Sequence, residues 1–264
     1  ARVYVNTQSL LEDRMGITIF ERAGRGVRLS ATGRRLCDEA EMLIAQRDRI
    51  LEELTQGVMA GVVRLGVAET MTHTLLPRML TTLRARHPLL RFEISVDTSE
   101  QMGQALRDDA LDVVIMLRDQ APRGIALTPL PPVRMGWFVS PEHFTLPSPA
   151  GIDDLAALPI VSFPKTTIPH RQALEVMTAG RRKPATVHGS ASLATMVNLV
   201  QQGFGIGTIP HDIVEAWPQT MLQEIDVLPE ANLPPLEFVI CHDPERNEEI
   251  GREVTRAAVE AGFD

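Results

Sequence analysis

Residues 16–33 constrain the fold of this chain more tightly than any other segment. Two short apolar runs flank a turn at residues 23–26, where two glycines allow the positive φ angles of a tight hairpin. Ser30 follows the second run and can cap a helix that starts immediately after it. The pattern predicts a small two-stranded ribbon followed by a helix.

Three arginines fall at or near the tip of this ribbon: Arg22, Arg25 and Arg28. Guanidinium groups on a rigid ribbon suit DNA phosphates or a minor groove, although an ordinary solvated hairpin is the alternative. Residues 1–35 carry seven arginines against three acidic residues, a net charge of +4, whereas the remainder carries −12. A basic end on an acidic body favours contact with nucleic acid at that end alone.

Residues 31–57 carry the pattern of one long helix with a narrow apolar stripe. The stripe repeats every seven residues in two rows and contains one polar member. Its members are Leu36, Ala40, Leu43, Arg47, Ile50 and Leu54. Such a stripe indicates a helical partner, most simply a second copy of the chain, although packing against the same chain is the alternative. Residues 58–61 then form an expected hinge.

From residue 62 onward, runs typical of strands alternate with amphipathic helical runs. This alternation predicts α/β architecture with a mostly parallel sheet. The alternation starts again after a proline-punctuated extended segment at residues 125–140, which indicates a second lobe. A late strand near residues 236–242 and a closing helix at residues 250–261 complete the chain.

Several classes of function find no support in the sequence. The seven histidines are scattered, and Cys37 and Cys241 lie far apart, so neither residue type has the spacing of a metal or catalytic site. The glycines at residues 203–207 follow a helix and enter a strand, which is the reverse of a dinucleotide-binding turn. We therefore expect no enzyme activity, cofactor or metal, and the lack of a leader or membrane span predicts a cytoplasmic protein.

The segment LEDRMGITIFERAGRGVRLSATGRRL, residues 11–36, resembles the wing and linker-helix start of LysR-type transcriptional regulators. Three further stretches resemble that family's effector domain: GVVRLGVAETMTHTLLP, HPLLRFEISVDTSEQMGQALRDDALDVVIM and GFGIGTIPHDIV. Residues 5–9 resemble the start of the family's recognition helix, but about two further helical turns are missing before residue 11. We accordingly expect an incomplete winged helix-turn-helix head.

The resemblance implies DNA contact by the recognition-helix remnant and the wing. The residues implied are Thr7, Gln8, Ser9, Arg22, Arg25 and Arg28. It also implies that the long helix dimerises, giving a homodimer or homotetramer, with double-stranded DNA and RNA polymerase as expected partners. A cytoplasmic solute-binding protein or an enzyme on the same two-lobed fold is the alternative function.

The resemblance further implies a small-molecule effector in the cleft between the two lobes. The implied lining residues are Thr70, Met71, Thr72, Thr98, Leu117, Phe163, Lys165, Thr166, Gly205, Ile206 and Thr208. Hydroxyls near helix starts often serve only as N-caps, which is the plain alternative for several of these residues. Converging helix N-termini would favour a small carboxylate, which is the expected effector. Glu69 beside the first of them would repel a carboxylate if its side chain pointed inward, so a cationic or neutral effector is the alternative.

The expected organisation is therefore a DNA-binding region at residues 1–30, a helix at 31–57, a hinge at 58–61 and an effector domain at 62–264. The effector domain is expected to have two Rossmann-like lobes of the type II periplasmic-binding-protein kind. Lobe 1 would comprise about residues 62–138 and 237–264, and lobe 2 about residues 139–236.

Overall fold

The computed structural model describes residues 12, 14, 16–23, 26–56, 59–180, 184, 186–217 and 219–262. The chain divides into two compact units, Ala1–Met59 and Ala60–Asp264, and each is described by itself. Thr7, Gln8, Ser9 and Arg25 lie outside the described residues, and so do the side chains of Arg22, Ile50 and Leu54. Within the described part of the chain, no helix combines the length and apolarity needed to cross a bilayer.

The first unit contains the ribbon and the long helix. Strands β1 (Phe20–Ala23) and β2 (Gly26–Leu29) pair antiparallel, with Glu21 opposite Arg28. Helix α1 (Ala31–Gln56) follows directly. Ser30 caps it as predicted, because its Oγ accepts a hydrogen bond from Gly33 N at 2.9 Å and also donates to Thr18 O at 2.6 Å.

The first lobe of the second unit is built on a five-stranded sheet in the order β4-β3-β5-β12-β6. Its strands are β3 (Ala60–Val67), β4 (Leu89–Val96), β5 (Val113–Leu117), β6 (Ala126–Pro129) and β12 (Phe238–His242). Its helices are α2 (Glu69–Thr72), α3 (Leu75–Arg86), α4 (Ser99–Arg107) and α9 (Glu248–Ala261). Strand β3 is parallel to β4 and β5, whereas β12 returns antiparallel between β5 and β6.

The second lobe is built on a sheet in the order β11-β7-β10-β8-β9. Its strands are β7 (Met135–Val139), β8 (Ile160–Ser162), β9 (Val187–Gly189), β10 (Ile206–Pro210) and β11 (Gln223–Glu224). Its helices are α5 (Ile152–Ala156), α6 (Ile168–Ala179), α7 (Leu193–Gln201) and α8 (His211–Ala216). Strands β8, β9 and β10 are mutually parallel, and β7 is antiparallel to β10.

The chain crosses between the lobes a few residues before the expected boundary at about residue 138. Strand β7, most of which the sequence pattern assigns to lobe 1, pairs with β10 and belongs to the second sheet. The chain crosses earlier, where Val133 and Leu236 form an antiparallel bridge and exchange two backbone hydrogen bonds of 2.9 Å. The two crossings therefore run side by side, which makes them a paired hinge between the lobes.

Candidate functional site

A cleft of about 170 Å³ lies between the two lobes of the second unit. The first lobe contributes the residues that follow β3 and β4 and the end of β5, because parallel strands deliver their carboxyl ends to one edge of the sheet. The second lobe contributes the loop after β8 and the turn before α7. Leu236 and Phe238, from the second crossing and the strand after it, also line the cleft.

Glu69 links the two lobes across this cleft. Its Oε1 accepts a hydrogen bond from Leu193 N at 3.2 Å, at the first residue of α7, and lies 3.4 Å from His73 Nε2. The His73 ring meets the Trp217 ring edge-on, with centroids 4.9 Å apart. A carboxylate and an imidazole of lobe 1 thus contact the N-terminus of a helix and an indole of lobe 2.

Hydroxyl groups on the first-lobe side differ in how they are used. Thr98 caps α4, since its side chain accepts from Gln101 N at 3.4 Å. The Ser99 hydroxyl accepts from Leu117 N at 3.0 Å and so ties α4 to β5. Thr70 lines the cleft with 4% of its surface exposed, and its hydroxyl makes no hydrogen bond to the residues that the structure describes.

The second-lobe wall is the loop that connects β8 to α6. His170 Nδ1 lies 3.0 Å from Phe163 O, and the Thr167 hydroxyl donates to Pro164 O at 2.7 Å. His170 is itself buried, so this contact is shielded from water. These two bonds fix the loop that carries the Phe163 ring and Thr166 to the cleft.

Five of the predicted effector residues are brought together at the cleft: Thr70, Thr98, Leu117, Phe163 and Thr166. Three of the remaining predictions lie next to it without lining it. Met71 is fully buried in the core, and the Thr72 hydroxyl donates to Glu69 O at 2.7 Å instead. Lys165 is exposed in the β8–α6 loop.

Gly205, Ile206 and Thr208 are also displaced from the cleft lining. Ile206 has no exposed surface, and the Thr208 hydroxyl donates to Ser162 Oγ at 2.9 Å inside the second-lobe sheet. Gly205 has a φ of 151°, and a Cβ there would overlap the Pro159 carbonyl oxygen. The absence of a side chain therefore allows the two backbone segments to pack closely. The family-like turn therefore shapes the sheet and not the wall of the cleft.

Sequence reasoning missed several lining residues. Pro169 lies near the start of a helix that the sequence predicts, so the end of the preceding strand was the available signal. Leu236 and Phe238 come from the far end of the chain, and only the double crossing brings them here. No local pattern marks them.

The electrostatics of the cleft argue against the expected small carboxylate. Glu69, Asp97 and Glu100 are the charged residues that line it, and within the described residues neither lysine nor arginine does. Glu69 occupies the α7 N-terminus, which is where helix dipole and free N–H groups would otherwise attract an anion. A ligand carboxylate would meet charges of its own sign.

The ribbon of the first unit presents a mixed charge pattern. Arg28 Nε lies 2.8 Å from Glu21 Oε1, and the two side chains are 67% and 43% exposed. Because the register places them opposite each other, this arginine is partly neutralised at the surface. Glu12 supports the ribbon from behind, since its Oε1 accepts from Ile19 N at 2.6 Å and from Phe20 N at 3.0 Å.

Several apolar side chains of α1 are exposed to solvent. Leu43 is 68% exposed and its neighbours Met42 and Ile44 are 61% and 49% exposed, whereas Leu36 and Ala40 are half-buried. Arg47, the polar member of the stripe, is exposed. Of the stripe members whose side chains are described, Leu43 is thus the exposed apolar one, and Met42 and Ile44 beside it extend the exposed apolar surface.

The two cysteines differ in their exposure. Cys37 is exposed on α1, and Cys241 is buried in β12. Burial raises the pKa of the Cys241 thiol to about 12, so it is protonated near neutral pH. In the described part of the chain, no three His, Cys, Asp or Glu side chains are grouped so as to hold a metal ion.

Comparison with known proteins gives a consistent result. A family model described as the LysR substrate binding domain matches residues 56–260. A probable hydrogen peroxide-inducible genes activator of Streptomyces viridosporus is 29% identical over 212 residues, 78% of this chain and 68% of that protein. The HTH-type transcriptional regulator DgdR of Burkholderia cepacia is 26% identical over 208 residues, 78% of this chain and 67% of that protein.

Solved structures agree on the fold. CbnR, a LysR family transcriptional regulator, has a TM-score of 0.68 and 16% identity, covering 96% of this chain and 89% of that one. A cysteine-to-serine mutant of Corynebacterium glutamicum OxyR with bound H2O2 has a TM-score of 0.60 and 22% identity, covering 97% and 84%. The relatives are named as regulators and not as enzymes, and on the strength of the family match this chain belongs to the LysR family of transcriptional regulators.

Proposed function

We propose that this chain is a DNA-binding regulator whose activity responds to a small molecule held between the two lobes of its second unit. The observation that carries the proposal is the match of residues 56–260 to the LysR substrate binding domain, together with a cleft at the paired crossings of that domain. Ligands that bind both lobes of such a hinge shift the balance between open and closed states.

DNA contact is assigned to the first unit. The ribbon carries Arg28 at its exposed face, and Arg34 and Arg35 follow in the first turn and a half of α1. Arg34 donates to Leu29 O at 3.0 Å, which anchors the ribbon to the helix start. A fixed basic ribbon contacts the DNA backbone and positions whatever reads the bases. CbnR, which shares the fold, is known in complex with its target DNA.

Assembly is assigned to α1. Its exposed apolar side chains and heptad spacing favour a coiled-coil partner, and a second copy of the chain supplies the identical stripe. Dimerisation places two ribbons on one DNA molecule, which is how the family's regulators would read paired half-sites.

Relatives named as peroxide-inducible gene activators raise a second mode of activation, oxidation of a thiol. Residues 56–260 contain one cysteine, Cys241, which is fully buried with a raised pKa. A protonated thiol without access to solvent reacts poorly with peroxide. The cleft therefore supports reversible binding of a ligand better than oxidation of this domain.

A DNA mobility-shift titration tests the proposal. The complete chain would be mixed with the intergenic DNA upstream of its own coding sequence and with a scrambled fragment of equal length, across a series of salt concentrations. We expect preference for the upstream fragment and an affinity that falls steeply with salt because phosphate contacts release counterions. Equal and salt-independent binding to both fragments would rule out the proposed function.

A further inference from the structure

The α7 N-terminus, which faces the cleft, is already satisfied by the protein itself. Leu193 N donates to Glu69 Oε1 at 3.2 Å, and Ser192 caps the next turn by accepting from Thr195 N at 3.3 Å. Free N–H groups at this position would attract an anion. Because a carboxylate of the opposite lobe fills the position, an anionic ligand would have to displace Glu69.

The other two long helices that begin at the cleft offer no better place for an anion. At the start of α4, Thr98 N donates to Asp97 Oδ1 at 2.7 Å, and Glu100 lies in the first turn. At the start of α6, Pro169 lines the cleft and has no N–H group. Carboxylates therefore lie at two of these three helix starts, and the third has one N–H donor fewer than usual.

Two groups in the cleft have hydrogen-bonding capacity left over. The Thr70 hydroxyl belongs to a residue that is only 4% exposed, lines the cleft and bonds to none of the described residues. Glu69 Oε2 likewise accepts no hydrogen bond from the described part of the chain, although Oε1 accepts from Leu193 N. The Thr70 hydroxyl oxygen and Glu69 Oε2 can therefore each accept a hydrogen bond from a ligand in the cleft.

The walls around these groups are apolar. The Phe163 and Phe238 rings and the Leu117 side chain line the cleft and are all nearly fully buried. An apolar wall with a few convergent polar groups is typical of a site that binds a small organic molecule by its body and orients it by its head. Aromatic faces also attract a cationic group.

We propose that the effector is a small organic amine, whose ammonium group is bound by Glu69 and Thr70 and whose apolar body packs against Phe163 and Phe238. The inference rests on the proposed function and names the ligand class of the same cleft. An ammonium group has three donors and no acceptor, which matches the free Glu69 Oε2 and the Thr70 hydroxyl. Asp97 and Glu100 at the exposed rim add attraction of the same sign.

Calorimetric titration of the complete chain with three probes of the same butyl body tests this assignment. The probes are n-butylammonium chloride, 1-butanol and sodium pentanoate, which carry positive, neutral and negative heads. We expect n-butylammonium to bind about tenfold more tightly than pentanoate, because one ion pair with hydrogen bonds is gained instead of a repulsion. Pentanoate binding most tightly, or three equal responses including none, would overturn the proposal.

Variants identify the residues responsible. Glu69→Gln should lower the affinity for n-butylammonium about tenfold and raise the affinity for pentanoate, because the α7 N-terminus becomes available. Glu93→Gln, which removes an exposed charge from β4 outside the cleft, is the matched control and should preserve the preference. An equal change in both variants would show a general charge effect and refute the role of Glu69.

A third variant protects the test against misfolding. Thr70→Val keeps the shape of a buried side chain and should weaken n-butylammonium and 1-butanol while the circular dichroism spectrum stays unchanged. Unchanged affinities in a folded Thr70→Val protein would refute the role of the hydroxyl. The DNA mobility shift separates the two proposals. Specific DNA binding together with a preference for pentanoate would refute only the proposed amine ligand. Binding of n-butylammonium without DNA binding would refute the proposed regulatory function.

Discussion

Glu69 Oε1 and Leu193 N, 124 residues apart in the chain, lie 3.2 Å from each other across the cleft. The bond connects the first turn after β3 in one lobe to the helix that precedes β10 in the other. It places a negative charge at the positive end of α7, where a charge of that sign is stabilised. A ligand entering between the lobes must accommodate this bond or break it, so the same contact bears on lobe closure and on ligand charge.

The long helix α1 should control assembly. Leu43→Glu puts a charge into the exposed apolar stripe, and we expect a shift from dimer to monomer together with weaker DNA binding, since two ribbons then no longer act on one DNA molecule. Sedimentation equilibrium measures the change. Glu41→Gln, at an exposed position of the same helix, is the control, and a Leu43→Glu protein that stays dimeric would contradict the role of the stripe.

The ribbon should respond to the loss of its own acidic residue. Glu21→Gln releases Arg28 from an exposed ion pair, so we expect DNA binding about threefold tighter at low salt, with a steeper salt dependence. Arg28→Ala should weaken binding to all sequences alike. Mobility shifts with specific and scrambled DNA give both quantities, and identical affinities for the three proteins would exclude this face of the ribbon from the interface.

Two glycines should differ sharply in their tolerance of alanine. Gly205→Ala combines a φ of 151° with overlap against the Pro159 carbonyl, and we expect the free energy of unfolding to fall by about 3 kcal/mol. Gly124 has a φ of 79°, but an added Cβ would meet open space, so we expect Gly124→Ala to lower the free energy of unfolding by about 1 kcal/mol. Urea unfolding followed by circular dichroism compares them, and equal losses would contradict the packing argument.

The two cysteines should differ clearly in their reactivity toward a thiol-labelling reagent. Native protein treated with iodoacetamide should be modified at exposed Cys37, while buried Cys241, with its pKa raised to about 12, reacts only after unfolding. Peptide mass spectrometry reads out both sites. Peroxide should leave the DNA affinity of a Cys37→Ser protein unchanged. A change in DNA affinity on peroxide treatment of that variant would indicate that oxidation of Cys241 regulates DNA binding.

Glu253 should make stability depend on acid pH. Its burial raises the pKa, but hydrogen bonding by Arg86 and His87 and the charge of Arg256 outweigh burial, so the pKa lies below its ordinary value of 4.5. A carboxylate with a lowered folded-state pKa stabilises the fold above the unfolded pKa, and this contribution is lost as pH falls through the folded value. Wild-type stability should therefore decline below about pH 5 more steeply than that of Glu253→Gln.

Thermal unfolding across the acid range measures the difference. Glu253→Gln should also be less stable near neutral pH by about 2 kcal/mol, because Arg86 Nη1, at 3.1 Å in the wild type, loses a charged partner. Glu245→Gln, an exposed carboxylate outside this network, provides the comparison. Parallel acid profiles for wild type and Glu253→Gln would contradict the assignment.

Local patterns in the sequence were sufficient for much of the architecture. The glycine turn and alternating residues predicted the ribbon, Ser30 predicted the start of α1, and the strand–helix alternation predicted two α/β lobes. Each of these signals depends on residues within a few positions of one another, because turns, caps and helical stripes are formed by near neighbours. The seven-residue repeat likewise assigned Leu43 to one face of α1, because periodicity alone fixes a helix face, and Leu43 is exposed in the structure.

Tertiary structure decided the rest, because the deciding contacts join distant parts of the chain. The assignment of β7 to the second sheet depends on its pairing with β10, some 70 residues later, which no local pattern encodes. The turn that resembles the family's, at Gly205 and Thr208, lies in the second-lobe sheet and not at the cleft, and the Thr208 hydroxyl donates a buried hydrogen bond to Ser162 Oγ there. The direction of Glu69, toward the α7 N-terminus and into the space a ligand would use, follows only from how the two lobes face each other.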